Sequence, residues 1–171
     1  MKHNQIQKLT LTGVFAALTA IATLLIQIPS PTKGYINCGD ELVNLSAWVL
    51  GGAYGAAAAG IGSAMADLIS GHTVYAPATL IIKAGMALAS FAVYRKLSQN
   101  RKSFFALLAG AVAAELVMIF GYAVFAGFLY GSVSTALLSV PENIVQGVFG
   151  AAASAAVYET VRRRSRRLNV L

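Results

Sequence analysis

Three ionisable side chains, Asp67, Lys83 and Glu115, occur inside long apolar segments of this sequence. An ionisable group in an apolar span costs about 3 kcal/mol, so each one requires a partner or a function. Asp67 and Lys83 lie near the facing ends of successive segments, which predicts either a structural ion pair or contact with a polar ligand. Glu115 lies near the middle of its segment, which predicts a hydrogen bond to a neighbouring helix, a ligand contact or a proton relay.

Further polar residues stand at the ends of apolar segments. Asn143 and Gln146 are spaced i, i+3 and therefore share one face of a helix, where two amides can donate and accept hydrogen bonds. Pro141, just before them, is typical of a first helical turn, which predicts that the last helix begins there. Tyr75 and Tyr122 offer aromatic surfaces either for a planar ligand or for anchoring at a membrane interface.

In the stretch "YINCGDELVN", the carboxylates of Asp40 and Glu41 precede a long apolar run. Aspartate is a common helix cap, so a cap of the second helix is one prediction for Asp40. The sequence has no Walker A loop, no zinc-type pair of histidines and no Gly-x-Ser-x-Gly elbow, and Cys38 is its only cysteine. We therefore expect no enzymatic activity, and neither a metal nor a cofactor bound by this chain.

The composition indicates which elements position these residues. Hydrophobic residues make up 57% and charged residues 11% of the 171 residues, and the mean hydropathy is +0.69. Soluble domains carry about 25% charged residues, so this composition predicts an all-α integral membrane protein. The length allows about five or six spans of roughly 20 residues, which would form one compact bundle, a single domain over residues 1–171.

The number of spans depends on residues 42–66, which contain the glycine-rich "GGAYG". This run predicts either one tilted span or two shorter helices separated by a turn. We favour two helices, because six spans place both termini and most of the 13 lysines and arginines on the cytoplasmic side. A single helix would place the N-terminus outside. The six spans are predicted at about 9–28, 41–52, 54–70, 77–95, 104–128 and 141–161.

The basic C-terminus is interpreted as a topology signal next to anionic lipid, and binding of nucleic acid is not expected.

The motifs "YINCGD", "ADLISG" and "YAPATLIIKAG", in this order, together with "AALTA" in the first helix, resemble one family. They are similar to the S components of energy-coupling factor (ECF) vitamin transporters, and most similar to the branch for riboflavin and for pyridoxine or hydroxymethylpyrimidine. The resemblance implies six helices in a prokaryotic cell membrane with both termini cytoplasmic. It also implies a high-affinity vitamin site near the outer surface, formed by the first external loop and the later helices.

The resemblance further implies partners, namely one transmembrane coupling protein and two ATP-binding subunits that use ATP to drive uptake. The small-residue motif that docks the coupling protein corresponds here to Ala16 and Ala20. The expected ligand is a planar heteroaromatic vitamin, with Asp40 at the lip of an outward pocket. The predicted binding residues are Asn37, Asp40, Asp67, Tyr75, Lys83, Glu115, Tyr122, Asn143 and Gln146.

The sequence is also compatible with two other functions. Small residues recur every four positions, as at Gly51, Gly55 and Ala59, and such spacing lets helices approach closely, as in a membrane scaffold without a ligand. The other alternative is an autonomous proton-coupled carrier that uses Glu115. The sequence offers no second titratable group at the depth of Glu115 on the cytoplasmic side, which disfavours a relay.

Overall fold

Six helices and a short hairpin make up the described part of the chain, which is residues 3–29, 34–99 and 104–167 of a computed structural model. Strands β1 (Gln27–Pro29) and β2 (Tyr35–Asn37) pair antiparallel directly after the first helix. The architecture is all-α, as predicted, and the hairpin is an addition that the apolar pattern did not indicate. The helices are α1 (His3–Leu25), α2 (Asp40–Leu50), α3 (Gly52–Ile69), α4 (Ala76–Leu97), α5 (Phe104–Tyr130) and α6 (Val133–Arg167).

Four of these helices, α1, α4, α5 and α6, are long and apolar enough to cross a membrane. Their outer faces carry large apolar side chains, and 70% of Ile81, 73% of Phe120 and 86% of Phe128 is exposed. Contiguous apolar surface of this kind is rare on soluble monomers and suits contact with lipid.

Residues 42–66 form two helices, α2 and α3, which meet at Gly51. Gly51 has a φ of +76°, a conformation that glycine adopts freely and side chains disfavour. α2 has 11 residues, about 16 Å of helix, which is about half the thickness of a hydrocarbon core. Its first residue, Asp40, contacts Lys83, which lies roughly 10 Å along α4 from Ala76. α2 therefore begins inside the bundle and not at its end.

Pro141 lies inside α6, which begins at Val133, so the prediction that the last helix begins at Pro141 is wrong. Proline lacks the N–H that would bond to the preceding turn. The carbonyl that loses this bond is that of Leu137, four residues earlier. Polar side chains near the proline bond to other carbonyls of the same turns. Ser139 Oγ donates to the Ala136 carbonyl and Asn143 Nδ2 donates to the Ser139 carbonyl, both at 2.8 Å. Membrane helices tolerate proline where the surrounding protein compensates for the interrupted backbone.

Small residues bring α1 and α3 into close contact. A Cβ added to Gly62 of α3 would collide with the Ala16 carbonyl of α1, so only glycine permits this approach. Ala16 therefore faces α3 and is half-buried, whereas Gly13 and Ala17 are exposed on the outer face of α1.

Candidate functional site

A cavity lies at the end of the bundle where α1 and α3 end and α4 begins, with β2 forming part of its wall. Its volume is about 560 Å³, open solvent at its mouth included. Its lining mixes amides, hydroxyls, carboxylates and aromatic rings. The lining residues are Thr23, Gly34, Tyr35, Asn37, Ser63, Asp67, Tyr75, Thr79, Lys83, Tyr122, Ala126, Ser139, Glu142, Asn143 and Gln146.

An ion pair between Lys83 and Asp40 forms the floor of the cavity. The two side chains are 3% and 0% exposed, and Gln146 Nε2 donates to the second Asp40 oxygen at 2.6 Å. The expected ion pair between Lys83 and Asp67 is therefore wrong, because Asp40 holds the ammonium group. The prediction of Asp40 as a helix cap is also wrong, since its side chain makes no capping bond and binds α4 and α6 instead.

Strand β2 is fixed to the bundle on two sides. The Tyr35 hydroxyl donates to Asp67 Oδ1 at 2.6 Å, and the Asn37 backbone N–H donates to Gln146 Oε1 at 2.8 Å. Burial, with the Asp67 carboxylate beside it, raises the pKa of the Tyr35 hydroxyl above its ordinary value. Tyr35 therefore keeps its proton and remains a donor at neutral pH. Asn37 Oδ1 accepts from the Gly39 N–H at 2.9 Å, which shapes the turn into α2.

Tyr75 and Tyr122 form the aromatic side of the cavity. Tyr75 packs edge-on against Phe125 with ring centroids 5.3 Å apart. The Tyr122 hydroxyl is 3.0 Å from the Thr79 hydroxyl, and the Lys83 ammonium lies 5.6 Å from the centroid of the Tyr122 ring. These rings give the cavity a surface against which a planar ligand can pack.

Glu115 lies away from the cavity. Its Oε1 accepts from Asn44 Nδ2 at 3.1 Å, and Asn44 Oδ1 accepts from Ser90 Oγ at 2.8 Å. The carboxylate packs against Gly147 and Gly150 of α6 and borders an apolar crevice between α5 and α6. The predicted hydrogen bond from Glu115 to a neighbouring helix is confirmed. Glu115 lies close to Asp40, since both border Gly150, but it is not among the residues that line the cavity.

Seven of the nine predicted binding residues line the cavity, all except Asp40 and Glu115. The sequence analysis missed Thr23, Tyr35, Ser63 and Thr79. Ser63 and Asp67 are spaced i, i+4 on one helix, a signal that could have linked them. Tyr35 belongs to the "YINCGD" stretch itself. Thr23 and Thr79 resemble the other hydroxyl residues of apolar helices, so the sequence carries no signal for them.

Basic residues gather at the other end of the bundle. Lys8 of α1 lies over the ring of Tyr54, near the start of α3, at 5.7 Å. Arg95 lies over Phe91 at the end of α4. Glu159 pairs with two arginines of the last turns of α6. Of the described lysines and arginines, Lys83 alone lies at the cavity end.

Three comparisons place these features among known proteins. The family model described as "ECF-type riboflavin transporter, S component" matches residues 3–163. An "uncharacterized protein in gap 3′region" of Pyrococcus woesei is 36% identical over 133 residues, which is 76% of this chain and 84% of that protein. A solved structure, described as the S component of a bacterial ECF transporter, matches with a TM-score of 0.76 over 93% of this chain and 97% of that chain. Its sequence is 21% identical, so this match establishes the fold.

Proposed function

Because the chain belongs to the family of ECF-type riboflavin transporter S components, it is a substrate-binding membrane subunit and not an enzyme, and we propose that its cavity captures a small heteroaromatic vitamin. The observation that carries this proposal is the cavity itself, where aromatic rings face amides and carboxylates. A planar ring can pack against Tyr75 and Tyr122, while its polar edge reaches Asn143 and the end of β2.

Riboflavin is the first candidate ligand, since the matching family is described by that vitamin. Pyridoxine and hydroxymethylpyrimidine are the other candidates, because they too combine a planar ring with hydrogen-bonding groups. In this proposal Asn143 contacts the ligand. Gln146 positions β2, because both ends of its amide are already bound to Asp40 and Asn37.

Titration of the purified protein with the three vitamins tests this proposal. Asn143→Leu is expected to weaken binding of the true ligand about tenfold, because it removes a polar contact and leaves the ligand group unpaired. Val145→Ala is the matched control, since Val145 is on the same helix and 63% of it is exposed on the outer face. Equal affinity of both variants and the wild type would contradict the proposed site.

We further propose that the cavity opens to the outside of the cell. The support is the charge distribution, because the basic end of the bundle belongs in the cytoplasm by the positive-inside rule. With six spans, both termini are then cytoplasmic. Cys38, in the turn between β2 and α2, is partly exposed at the cavity end and reports the orientation.

An impermeant thiol reagent applied to intact cells should label Cys38 from outside. Burial and the neighbouring carboxylates of Glu41 and Asp40 raise the pKa of the Cys38 thiol, and the thiolate is the reactive form. Labelling should therefore be slow at neutral pH and faster as the pH rises. Gln99→Cys in a Cys38→Ala background is the control, since Gln99 is exposed at the basic end. Labelling of Gln99→Cys and not of Cys38 would reverse the proposed orientation.

Uptake is proposed to require two ATP-binding subunits and a transmembrane coupling protein, and the coupling protein is proposed to dock on the small-residue face of α1. This face carries the exposed Gly13 and Ala17 next to Ala20, whereas Ala16 already packs against α3. Ala17→Leu should abolish ATP-driven uptake in proteoliposomes and leave vitamin binding intact. Ile81→Trp on the exposed face of α4 should affect neither. Uptake by the chain without partners would instead indicate an autonomous carrier.

A further inference from the structure

Three polar atoms on one wall of the cavity have no hydrogen-bond partner within the described part of the chain: Thr23 Oγ1, Ser63 Oγ and Asp67 Oδ2. All three residues line the cavity, and they are only 3%, 1% and 4% exposed. Thr23 lies in the last turn of α1, while Ser63 and Asp67 lie one turn apart on one face of α3. Buried polar atoms are almost always paired, so three unpaired ones side by side point to a ligand.

The other threonine hydroxyls of α1, and Ser154 of α6, are satisfied by the backbone of their own helix. On α1, Thr12 and Thr19 donate to the carbonyls four residues earlier at 2.8 Å. Ser154 of α6 donates to the carbonyl three residues earlier at 3.2 Å. This local bond is the usual solution for serine and threonine in helices. Thr23 and Ser63 depart from it where α1 and α3 meet the cavity, so both hydroxyls are available to a ligand.

The carboxylate of Asp67 determines which ligand groups fit this wall. Tyr35 occupies Oδ1. The Thr79 hydroxyl lies beside the carboxylate and can donate to it when Tyr122 is the donor in the Tyr122–Thr79 pair. A carboxylate oxygen only accepts hydrogen bonds, so the ligand group that meets Oδ2 must be a donor. The two hydroxyls can both donate and accept, so a hydroxyl-bearing ligand segment satisfies all three protein atoms.

The charge of Asp67 disfavours a phosphate at the same place. Asp67 and Glu142 both line the cavity, and Lys83 is the one lysine or arginine among the described lining residues. Lys83 is already paired with Asp40. A phosphate monoester carries a charge of about −1.5 to −2, so beside Asp67 it would meet a carboxylate and, among the described lining residues, no unpaired lysine or arginine.

We propose that Thr23, Ser63 and Asp67 form a subsite for ligand hydroxyl groups, which selects the unphosphorylated, hydroxyl-bearing vitamin over its phosphate ester. This proposal rests on the proposed function of the cavity. It adds that the hydroxyl groups of the ligand lie against Thr23, Ser63 and Asp67. Riboflavin would place its hydroxylated side chain against this subsite and leave its ring to the aromatic side.

Titrations with riboflavin and with lumiflavin, which has the same ring system without the hydroxylated chain, test the subsite. Thr23→Val and Ser63→Ala should each weaken riboflavin binding about three- to tenfold and leave lumiflavin binding unchanged. The thermal midpoint of the ligand-free variants should stay equal or rise, because neither substitution removes a hydrogen bond made within the protein. Thr19→Val is the control for α1, since the Thr19 hydroxyl bonds to its own helix, and its riboflavin affinity should equal that of the wild type.

Riboflavin 5′-phosphate should bind at least about tenfold more weakly than riboflavin. Asp67→Asn keeps an acceptor for Tyr35 and removes the charge. This variant should therefore show a smaller difference in affinity between riboflavin and riboflavin 5′-phosphate. Wild-type riboflavin affinity in both hydroxyl variants, or equal binding of the phosphate ester, would overturn the subsite while the proposed function stands. If pyridoxine is the ligand, pyridoxine and its 5′-phosphate replace the flavin pair. Failure to bind any of the three vitamins would overturn the proposed function itself.

Discussion

Two buried polar networks lie within one turn of each other in this bundle, and they differ in what they reach. The cavity network consists of Asp40, Lys83 and Gln146 and extends to the backbone of Asn37 in β2. The inner network consists of Ser90, Asn44 and Glu115. The first joins three helices to the strand at the cavity, whereas the second joins α2, α4 and α5 beside an apolar crevice.

Burial of a charge in a membrane bundle therefore does not by itself indicate a ligand contact. Both networks bond groups that would be costly in an apolar surrounding, although Glu115 Oε2 has no partner within the described part of the chain. Of the two networks, only the cavity network borders the cavity and is bonded to β2. A bound ligand can therefore affect this network and not the inner one. Substitutions in the two networks should therefore affect stability and binding in different proportions.

Lys83→Met is expected to have the largest effect. It leaves Asp40 buried without its cation, which should lower the free energy of unfolding by about 3–5 kcal/mol. Vitamin binding should be lost as well, since the floor of the cavity is disrupted. Thermal unfolding and ligand titration of the detergent-purified protein measure both effects.

The double variant Asp40→Asn with Lys83→Met removes both charges and is the control for this substitution. It should recover most of the stability, because the uncompensated charge is gone, and it should not recover the affinity. A Lys83→Met variant that binds like the wild type would show that the ion pair and the ligand site are independent.

Gln146→Leu should have an intermediate effect. The leucine cannot bond to Asp40 or to the Asn37 N–H, and the loss of these buried bonds should cost about 1–3 kcal/mol of stability. Because β2 loses its attachment to α6, the vitamin should dissociate about tenfold faster, which stopped-flow displacement measures. Asn37→Ala keeps the backbone bond to Gln146 and should show the smaller change. A larger change in Asn37→Ala than in Gln146→Leu would contradict the positioning role of Gln146.

Glu115→Gln should have the smallest effect. A glutamine oxygen still accepts from Asn44, so the thermal midpoint should move by only about 2–4 °C and vitamin affinity by less than about twofold. ATP-driven uptake should continue, since no proton relay through Glu115 is proposed. Loss of binding or uptake in this variant would show that the two networks act as one functional unit.

The membrane bundle and its six helices could be predicted from sequence because apolar runs and the glycine at position 51 act locally. The partner of Lys83 could not, since it depends on how α2 and α4 rotate about their axes, which composition does not determine. The helical path through Pro141 was not predicted either, because proline is common in a first helical turn and the sequence does not show that α6 already begins at Val133.

The binding residues were predicted better than their roles. Amides and tyrosines near the ends of apolar runs were recognised because polar side chains there are uncommon, and they do line the cavity. Thr23 and Ser63 were missed because their distinguishing property, a hydroxyl without a local backbone partner, exists only in three dimensions.

The most direct test of the central claim is to denature the protein, purified in mild detergent from cells grown in rich medium, and to identify any released molecule by mass spectrometry. We expect the wild-type protein to release close to one equivalent of an unphosphorylated, hydroxyl-bearing heteroaromatic vitamin. The Lys83→Met variant should release none. A protein that releases no vitamin and binds none of riboflavin, pyridoxine and hydroxymethylpyrimidine afterwards would contradict it.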